Sequence, residues 1–165
     1  MAGVLVEIVK RLITAFVLHS KNLIELKNDI CVGGFLLRNN RFLFGKRSRK
    51  KLWAPGVWDI VGGHSLENEH PLYTLQRETL EEFGIKVLNA EMITVLDVWD
   101  ESVKGYFKYF IYHITHYKGK PFNNSKEHKK IKWFTREELG ELPLALSAYL
   151  EMIDNGLRAE PVQEK

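Results

Sequence analysis

The sequence predicts an α/β fold in which a mixed β-sheet lies between helices as an α/β/α sandwich. Three observations predict it: short runs of β-branched and aromatic residues, segments whose apolar residues recur with helical period, and the order of these patterns along the chain. The 165 residues suffice for one domain that buries about 70% of its unfolded surface. A hydrophobic content of 45% and a charged content of 27% exclude a disordered chain and a disulfide-rich miniprotein.

The first 24 residues are predicted to form a helical extension. The apolar residues there fall at the i, i+3, i+4, i+7 spacing of one stripe: Leu5, Ile8, Val9, Leu12, Ile13, Phe16 and Val17. We interpret residues 2–18 as an amphipathic helix that packs on this protein's own core or on a second subunit, which leaves a homodimer open. Attachment to a membrane surface is the alternative. Charges at Glu7, Lys10 and Arg11 interrupt the segment too early for a membrane span or a signal peptide.

From residue 29 the pattern changes from helical to extended. Strands are predicted at 30–37 and 41–46, joined by a tight turn at 38–40. A basic loop at 47–53 and a second turn follow. The next strand is predicted at 57–61, and we expect the glycine pair after it to end that strand.

A helix is predicted at 71–83, with Gly84 in the position of a C-terminal cap. A last helix is predicted from Thr135 to about residue 155. Between these helices, strands are predicted at 87–99, 106–117 and 130–134. The middle strand of the three is so rich in Tyr and Phe that we expect it to pack centrally.

These elements place one domain at residues 25–157, followed by a polar tail at 158–165 that we expect to be flexible. The net charge of +3 is too small to indicate a nucleic-acid polymer as partner. The single cysteine, Cys31, cannot form an internal disulfide, which agrees with a reducing compartment. We therefore expect a cytoplasmic protein.

The residues that carry chemistry lie between Gly63 and Ile85. They are spaced G-x5-E-x7-R-E-x2-E-E-x-G. The seven specified positions are Gly63, Glu69, Arg77, Glu78, Glu81, Glu82 and Gly84. On a helix the last three glutamates lie at i, i+3 and i+4 and converge on one patch, where like charges repel. Mg²⁺ or Mn²⁺ is the natural partner, since hard cations prefer oxygen ligands. Arg77 can bridge to Glu69 or Glu81 and orient the ligands.

The alternative interpretation of three such glutamates is a solvated acidic helix face. For the three glutamates without the rest of the pattern, this interpretation is at least as well supported as a metal site. The complete spacing changes this balance, because a chance match to all seven positions has a probability on the order of 10⁻⁶.

The segment from Gly63 to Ile85 resembles the Nudix box, the signature of the Nudix hydrolase superfamily, and it matches everywhere except at Thr79, where the family usually has an aliphatic residue. The resemblance extends over residues 29–150. The segment leading into Gly62 resembles the strand that precedes the box in MutT-like members, with Val61 in place of a frequent proline.

This resemblance implies a loop-helix-loop on the sandwich and hydrolysis of a nucleoside diphosphate linked to another group X. By position in the box, Glu78 and Glu82 are implied metal ligands, and Glu81 is a further ligand or a base that orients water. The carbonyl of Gly62 or Gly63 completes the implied metal shell. Such a metal lowers the pKa of bound water and takes up charge in the transition state.

Two further carboxylates enter by resemblance. Glu69 is an implied outer-sphere contributor. Glu127 is the implied extra carboxylate from a loop outside the box, because its surroundings resemble the family's E-H…W-F segment. An exposed loop glutamate is the plainer interpretation of Glu127, and the competing acids are Asp97, Asp100 and Glu101.

The substrate contacts are expected upstream of the box. Arg47, in a run of cations, matches the family's strand-ending arginine and is our choice for a polyphosphate contact. Trp53 and Trp58 are candidates for stacking on a base, although a packing role is the commoner one for each.

Three classes of function follow. The intact carboxylate set favours a metal-dependent pyrophosphohydrolase. An isopentenyl-diphosphate isomerase-like enzyme lacks its cysteine signature here, and a silent Nudix domain for ligand sensing would commonly have lost box glutamates.

For the substrate, residues 86–120 hold no proline of the kind found in ADP-ribose hydrolases. Elimination leaves a nucleoside triphosphate, including an oxidised purine such as 8-oxo-dGTP, with ADP-ribose or another dinucleotide as the alternative.

Overall fold

The computed structural model describes residues 30–157 of the 165-residue chain. The amphipathic helix predicted at 2–18 and the tail predicted at 158–165 lie outside the described residues. Within them the strands are β1 Ile30–Arg38, β2 Arg41–Arg47, β3 Trp58–Asp59, β4 Val61–His64, β5 Lys86–Asp100, β6 Gly105–Lys118 and β7 His128–Phe134. The helices are α1 Pro71–Phe83, α2 Arg136–Gly140 and α3 Ala148–Asp154.

The strands form a mixed sheet, as predicted. β1 pairs parallel with β6 and antiparallel with β4 and β2. β6 also pairs antiparallel with β5 along nearly its whole length, so the Tyr- and Phe-rich strand lies between two neighbours. β2 continues the sheet to β3 and β7.

Both faces of the sheet are covered, and β1 shows why the fold is a sandwich. Its residues alternate between two apolar clusters: Phe35 and Leu37 belong to one, Val32 and Leu36 to the other. Seven consecutive residues of β1 are therefore buried, as expected of a strand covered on both sides. The first cluster includes residues of α3, and the second includes residues of α1.

Local signals located two turns correctly. α1 begins and ends at the predicted residues, and Gly84 adopts a left-handed φ of 67° while its N–H donates to the carbonyl of Leu80. The β1–β2 hairpin turns through Asn39 and Asn40, both with positive φ, which asparagine tolerates better than most residues.

The strand predicted at 57–61 is in fact two strands with different partners. Trp58 and Asp59 pair with β2, whereas 61–64 pair with β1. The glycine pair does not end the strand but continues β4, because only a residue without a side chain fits there. A Cβ on Gly62 would lie 1.9 Å from the carbonyl oxygen of Val32.

The single last helix predicted from Thr135 is also wrong, since α2 and α3 are separated by turn and bend residues at 141–147 with one β-bridge at Leu144. That segment bonds to β3: the Trp58 N–H donates to the Pro143 carbonyl, and the Ala145 N–H donates to the Trp58 carbonyl. Proline cannot continue a helix, and these tertiary hydrogen bonds satisfy the backbone instead. α2 does begin at Thr135 with the capping box that the sequence indicates.

A buried polar chain joins α3 to the sheet. The Tyr149 hydroxyl donates to Asp59 Oδ1 at 2.7 Å and lies 3.1 Å from the Tyr109 hydroxyl. Asp59 also accepts from the Arg47 guanidinium, which makes a buried ion pair. Burial raises the pKa of Asp59, although Arg47 and Tyr149 act in the opposite direction.

Tyr149→Phe should lower the free energy of unfolding by about 1–3 kcal/mol, because it removes one hydrogen bond from the buried Asp59 carboxylate and takes its partner from the buried Tyr109 hydroxyl. Urea unfolding measures this loss. Tyr106→Phe is the matched control: Tyr106 is exposed, and its change should stay within about 0.5 kcal/mol. Equal effects of the two changes would contradict the prediction.

Candidate active site

Helix α1 distributes the three box glutamates over three environments. Glu82 faces the interior and is 3% exposed, because it lies between the buried side chains of Thr79 and Phe83 on the inner side of the helix. Glu78 is largely covered, whereas the side chain of Glu81 is 59% exposed. The glutamates therefore share one side of the helix at different depths, and do not form one flat patch.

The glycine pair of β4 provides the surface against which the two inner glutamates pack. Glu82 Oε2 accepts a hydrogen bond of 3.2 Å from the Gly62 N–H. The Glu78 carboxylate lies directly over Gly63, where a Cβ would approach it to 2.5 Å. Strand β4 therefore needs glycine at position 63 for the close approach of a carboxylate.

Arg77 contacts three carboxylates at once. Its Nε and Nη2 donate to the two oxygens of Glu69 at 3.0 and 2.9 Å, a bidentate pair. Its Nη1 donates to Glu78 at 2.7 Å and reaches Glu81 at 3.4 Å, so both predicted bridges are present. A further bond to the His64 carbonyl ties the helix to β4. The hydrogen bond from Arg77 lowers the pKa of Glu69 to about 2.

The two inner glutamates lack comparable compensation. Burial raises the pKa of Glu78, against the effect of Arg77. Burial, together with the negative charges of Glu78 and Glu127, raises the pKa of Glu82 to about 8, although the hydrogen bond from the Gly62 N–H acts in the opposite direction. Both inner glutamates therefore keep a proton to higher pH than an exposed glutamate would.

The residues fit a hard divalent cation in chemistry. Among residues 30–157, no group of three or more His, Cys, Asp and Glu side chains already stands in position to hold a metal ion. The carboxylates with raised pKa values and the backbone carbonyls of the glycine pair are the oxygen donors that Mg²⁺ and Mn²⁺ prefer. A further side-chain donor would have to come from an exposed carboxylate that can rotate, and Glu81 and Glu127 are both exposed.

Glu127 lies on the loop before β7 and lines the cavity next to the box. Its carboxylate pairs with Lys51, and its backbone carbonyl accepts from the Ser48 N–H at 2.7 Å. Burial alone would raise the pKa of Glu127, but the hydrogen bond and charge of Lys51 lower it. Of the competing acids, Asp97 bonds to Lys108 and Glu101 to Trp99, and neither lines the cavity. Asp100 does line it, but its Oδ1 accepts from Ser102.

Arg47 and Trp58 both contact internal partners. The Arg47 guanidinium is committed to internal partners: Asp59, and the carbonyls of Trp53 and Ala54. It also borders the cavity and holds the loop at 53–54 against the sheet, and its role as a phosphate contact stays a prediction. Trp58 is 6% exposed and packs edge-on against Phe134, so its ring is not open to a base. Trp53 lines the cavity, with the Arg47 guanidinium over its ring.

The cavity has a volume of about 590 Å³, a size suited to a nucleotide-sized ligand. Glu78 and the glycine pair border it, and apolar side chains form another part of its wall: Leu52, Trp53, Leu66, Val103 and Phe107. Lys50 and Lys51 also line it.

The sequence interpretation missed two acidic or basic positions that the structure makes important. Asp59 lies in a short apolar strand, and an acid in such a strand already indicates a cationic partner in the folded protein. His128 is 5% exposed, and its Nδ1 lies 3.7 Å from Glu82 Oε1. Burial lowers the pKa of His128 to about 4, so the ring is neutral near pH 7. No local pattern places it behind α1.

Comparison with known proteins identifies the class. The model of the NUDIX domain matches residues 27–155, and the chain belongs to this family. An 8-oxo-dGTP diphosphatase of Buchnera aphidicola is 32% identical over 69% of this chain and 82% of the relative. Among solved structures, a MutT NUDIX hydrolase from Burkholderia pseudomallei is similar with a TM-score of 0.67 and 25% identity, covering 76% of this chain and 95% of that chain. A MutT protein from Bacillus halodurans has a TM-score of 0.62 and 24% identity, covering 81% and 85%.

The predicted MutT-like relationship and fold are thereby confirmed. The protein is a Nudix pyrophosphohydrolase, an enzyme that acts on phosphoanhydride bonds. Nudix hydrolases generally depend on a divalent metal. None of the helices within residues 30–157 is long and apolar enough to cross a membrane.

The raised pKa of Glu82 predicts a pH dependence of the metal-free protein. A carboxyl with a folded pKa of about 8 and an ordinary value of 4.5 binds its proton more tightly in the folded state, so stability is lost as pH rises between these values. In EDTA, Glu82→Gln should be more stable than the wild type at pH 8, on the order of 3 kcal/mol, and much closer to it at pH 4.5.

Urea unfolding at the two pH values measures this difference. Glu81→Gln is the control on the same helix, because the Glu81 side chain is exposed. A difference between Glu82→Gln and the wild type that does not grow with pH would contradict the prediction.

Proposed function

We propose that this enzyme hydrolyses a nucleoside triphosphate to a nucleoside monophosphate and pyrophosphate. The preferred substrate carries an oxidised purine base, as 8-oxo-dGTP does. The reaction consumes one water and cleaves the bond between the α- and β-phosphates. The name of the Buchnera relative, an 8-oxo-dGTP diphosphatase, supports this choice. The triphosphate class rests first on the shape and charge of the cavity.

The observation that carries the proposal is the division of the cavity into two parts. Glu78 and the glycine pair border one part, where a cation and phosphates would lie. Trp53 and Phe107, with their rings edge-on at 5.9 Å, contribute to the apolar part. Aromatic and aliphatic side chains suit the flat face of a base. A nucleotide would therefore place its phosphates at the carboxylates and its base against the aromatic wall.

We assign the cation, Mg²⁺ or Mn²⁺, to Glu78, Glu82 and a backbone carbonyl of Gly62 or Gly63, with Glu81 as a further ligand or a base. A bound cation supplies Lewis acidity, which activates water and neutralises phosphate charge. Glu78 and Glu82 are held in place by Arg77 and by the Gly62 N–H. Glu69 acts through Arg77, since its two hydrogen bonds fix the guanidinium that orients Glu78.

The cations for the polyphosphate are Lys50 and Lys51 in place of Arg47. Both lysines line the cavity. Neither takes part in the buried ion pair between Arg47 and Asp59, so their binding of phosphate would leave that pair intact. Lys51 now pairs with Glu127, so a phosphate that binds Lys51 competes for this contact and releases the carboxylate toward water or metal. Trp53 remains a candidate for stacking on the base.

A panel of nucleotides tests the function directly. Triphosphates that include 8-oxo-dGTP, together with ADP-ribose and dinucleotides, are assayed with Mg²⁺ and with Mn²⁺, and products are identified by mass. We expect a triphosphate to give the highest kcat/KM, and we expect Glu82→Gln or excess EDTA to abolish turnover although the fold survives. Cleavage of ADP-ribose at about tenfold higher kcat/KM than every triphosphate would reject the substrate and retain the hydrolase class. Full activity in EDTA would reject the metal assignment.

Glu127→Gln should lower kcat on the order of 100-fold with a much smaller change in KM, because the carboxylate acts in the transition state. Steady-state kinetics on the best substrate of the panel separate the two constants. Glu101→Gln is the control, since Glu101 bonds to Trp99 away from the cavity. A silent Glu127→Gln together with an impaired Asp97→Asn or Glu101→Gln would transfer the role to the acids at the end of β5.

A further inference from the structure

His128 lies beside Glu82, outside the lining of the cavity. It is the first residue of β7 and is 5% exposed, and it is not among the residues that line the cavity. It therefore cannot touch a substrate, and anything it does for the reaction must pass through a neighbour. The neighbour that its ring faces is the most buried of the box glutamates.

The Nδ1 atom of His128 is buried and has no hydrogen-bond partner among residues 30–157. Its distance to Glu82 Oε1 is 3.7 Å, somewhat more than the roughly 2.7–3.2 Å of an N–H···O bond. A buried polar atom without a partner costs about 1–3 kcal/mol, so proteins rarely keep one without a use. The separation is small enough for a slight movement of the Glu82 carboxylate to close it.

The ring itself is held firmly, so the carboxylate is the part that would move. The ring lies over Gly45, where a Cβ would come within 2.3 Å of Cδ2, and it packs edge-on against Phe83 at 5.6 Å. The backbone of His128 pairs with Arg47, and its carbonyl accepts from Asn123 Nδ2 at 3.0 Å. The ring is thus a fixed reference for the orientation of Glu82.

The two oxygens of Glu82 face two different donors. Oε2 accepts from the Gly62 N–H, and Oε1 faces Nδ1 of His128. We propose that His128 is a positioning residue whose Nδ1–H donates to Glu82 Oε1 when a divalent cation is bound, so that the carboxylate is fixed between two donors with lone pairs left for the cation. This inference rests on the proposed role of Glu82 as a metal ligand. Each carboxylate oxygen has two lone pairs, so Oε1 can accept the hydrogen bond from His128 and still bind the cation.

A pair of isosteric variants isolates the N–H donor. Asn and Leu have the same branched skeleton, and the amide nitrogen of Asn takes the place of Nδ1, whereas Leu places a methyl group there. Mn²⁺ binding to the full-length, substrate-free protein is measured by electron paramagnetic resonance. His128→Leu should weaken Mn²⁺ binding about tenfold or more, and His128→Asn should stay within about threefold of the wild type. Equal affinities of the two variants would overturn the proposal.

The tautomer of His128 provides a second readout that does not depend on either variant folding. Nitrogen-15 NMR of the wild-type protein with Mg²⁺ should show a proton on Nδ1 of the His128 ring. A ring protonated at Nε2 alone cannot donate to Glu82 and would overturn the proposal. Because a purely structural histidine could carry either tautomer, agreement of the NMR result with the Leu and Asn pair is required.

Glu82→Gln separates this inference from the proposed function. Loss of Mn²⁺ binding in Glu82→Gln, together with equal affinities of His128→Leu and His128→Asn, rejects the role of His128 and leaves the metal assignment intact. Wild-type Mn²⁺ affinity in Glu82→Gln rejects the metal assignment itself, and the inference with it. Urea unfolding of each variant confirms that the compared proteins are folded.

Discussion

The rest of the site depends on one constraint, the burial of the Glu82 carboxylate between helix α1 and strand β4. An unpaired carboxylate in such a place is costly, and its raised pKa expresses that cost. The surrounding structure offers only partial relief, through the Gly62 N–H. The closeness of helix and strand that creates the problem also places Glu78 over Gly63, so both carboxylates lie against the same glycine pair.

The buried acids Asp59 and Glu82 differ in the partners that surround their carboxylates. Asp59 receives a guanidinium from Arg47, a hydroxyl from Tyr149 and the N–H of Ile60, so its charge is met by fixed partners. Glu82 is as buried, but within the described residues no Lys or Arg forms an ion pair with it. Stability alone would favour the first arrangement. The second is the one expected of a group whose positive partner is a bound ion, which supports the proposed role of Glu82 as a metal ligand.

The parts of the structure that depend on local sequence were predictable, and those that depend on tertiary contacts were not. The ends of α1 and its Gly84 cap followed from periodicity and capping residues. The break between α2 and α3 depends on hydrogen bonds from Trp58, more than eighty residues earlier, which no window around Pro143 contains. The internal partner of Arg47 was missed for the same reason, because Asp59 is distant enough in sequence that a run of cations looked free. The contacts of Arg77 with Glu69 and Glu81 were predicted, because the spacing of the box encodes them.

That spacing is informative because each position of the box has a different physical task. Gly63 leaves room for the carboxylate of Glu78, and Glu69 holds Arg77 by two hydrogen bonds. Arg77 then neutralises part of the charge on Glu78 and Glu81, which the helix would otherwise bring together without relief. Among the box glutamates, Glu82 is the one that no Lys or Arg of residues 30–157 pairs with. A cluster of the same composition with other spacing would lose the close approach or the bridging arginine, so the order of the residues, more than their number, supports the proposed site for a divalent ion.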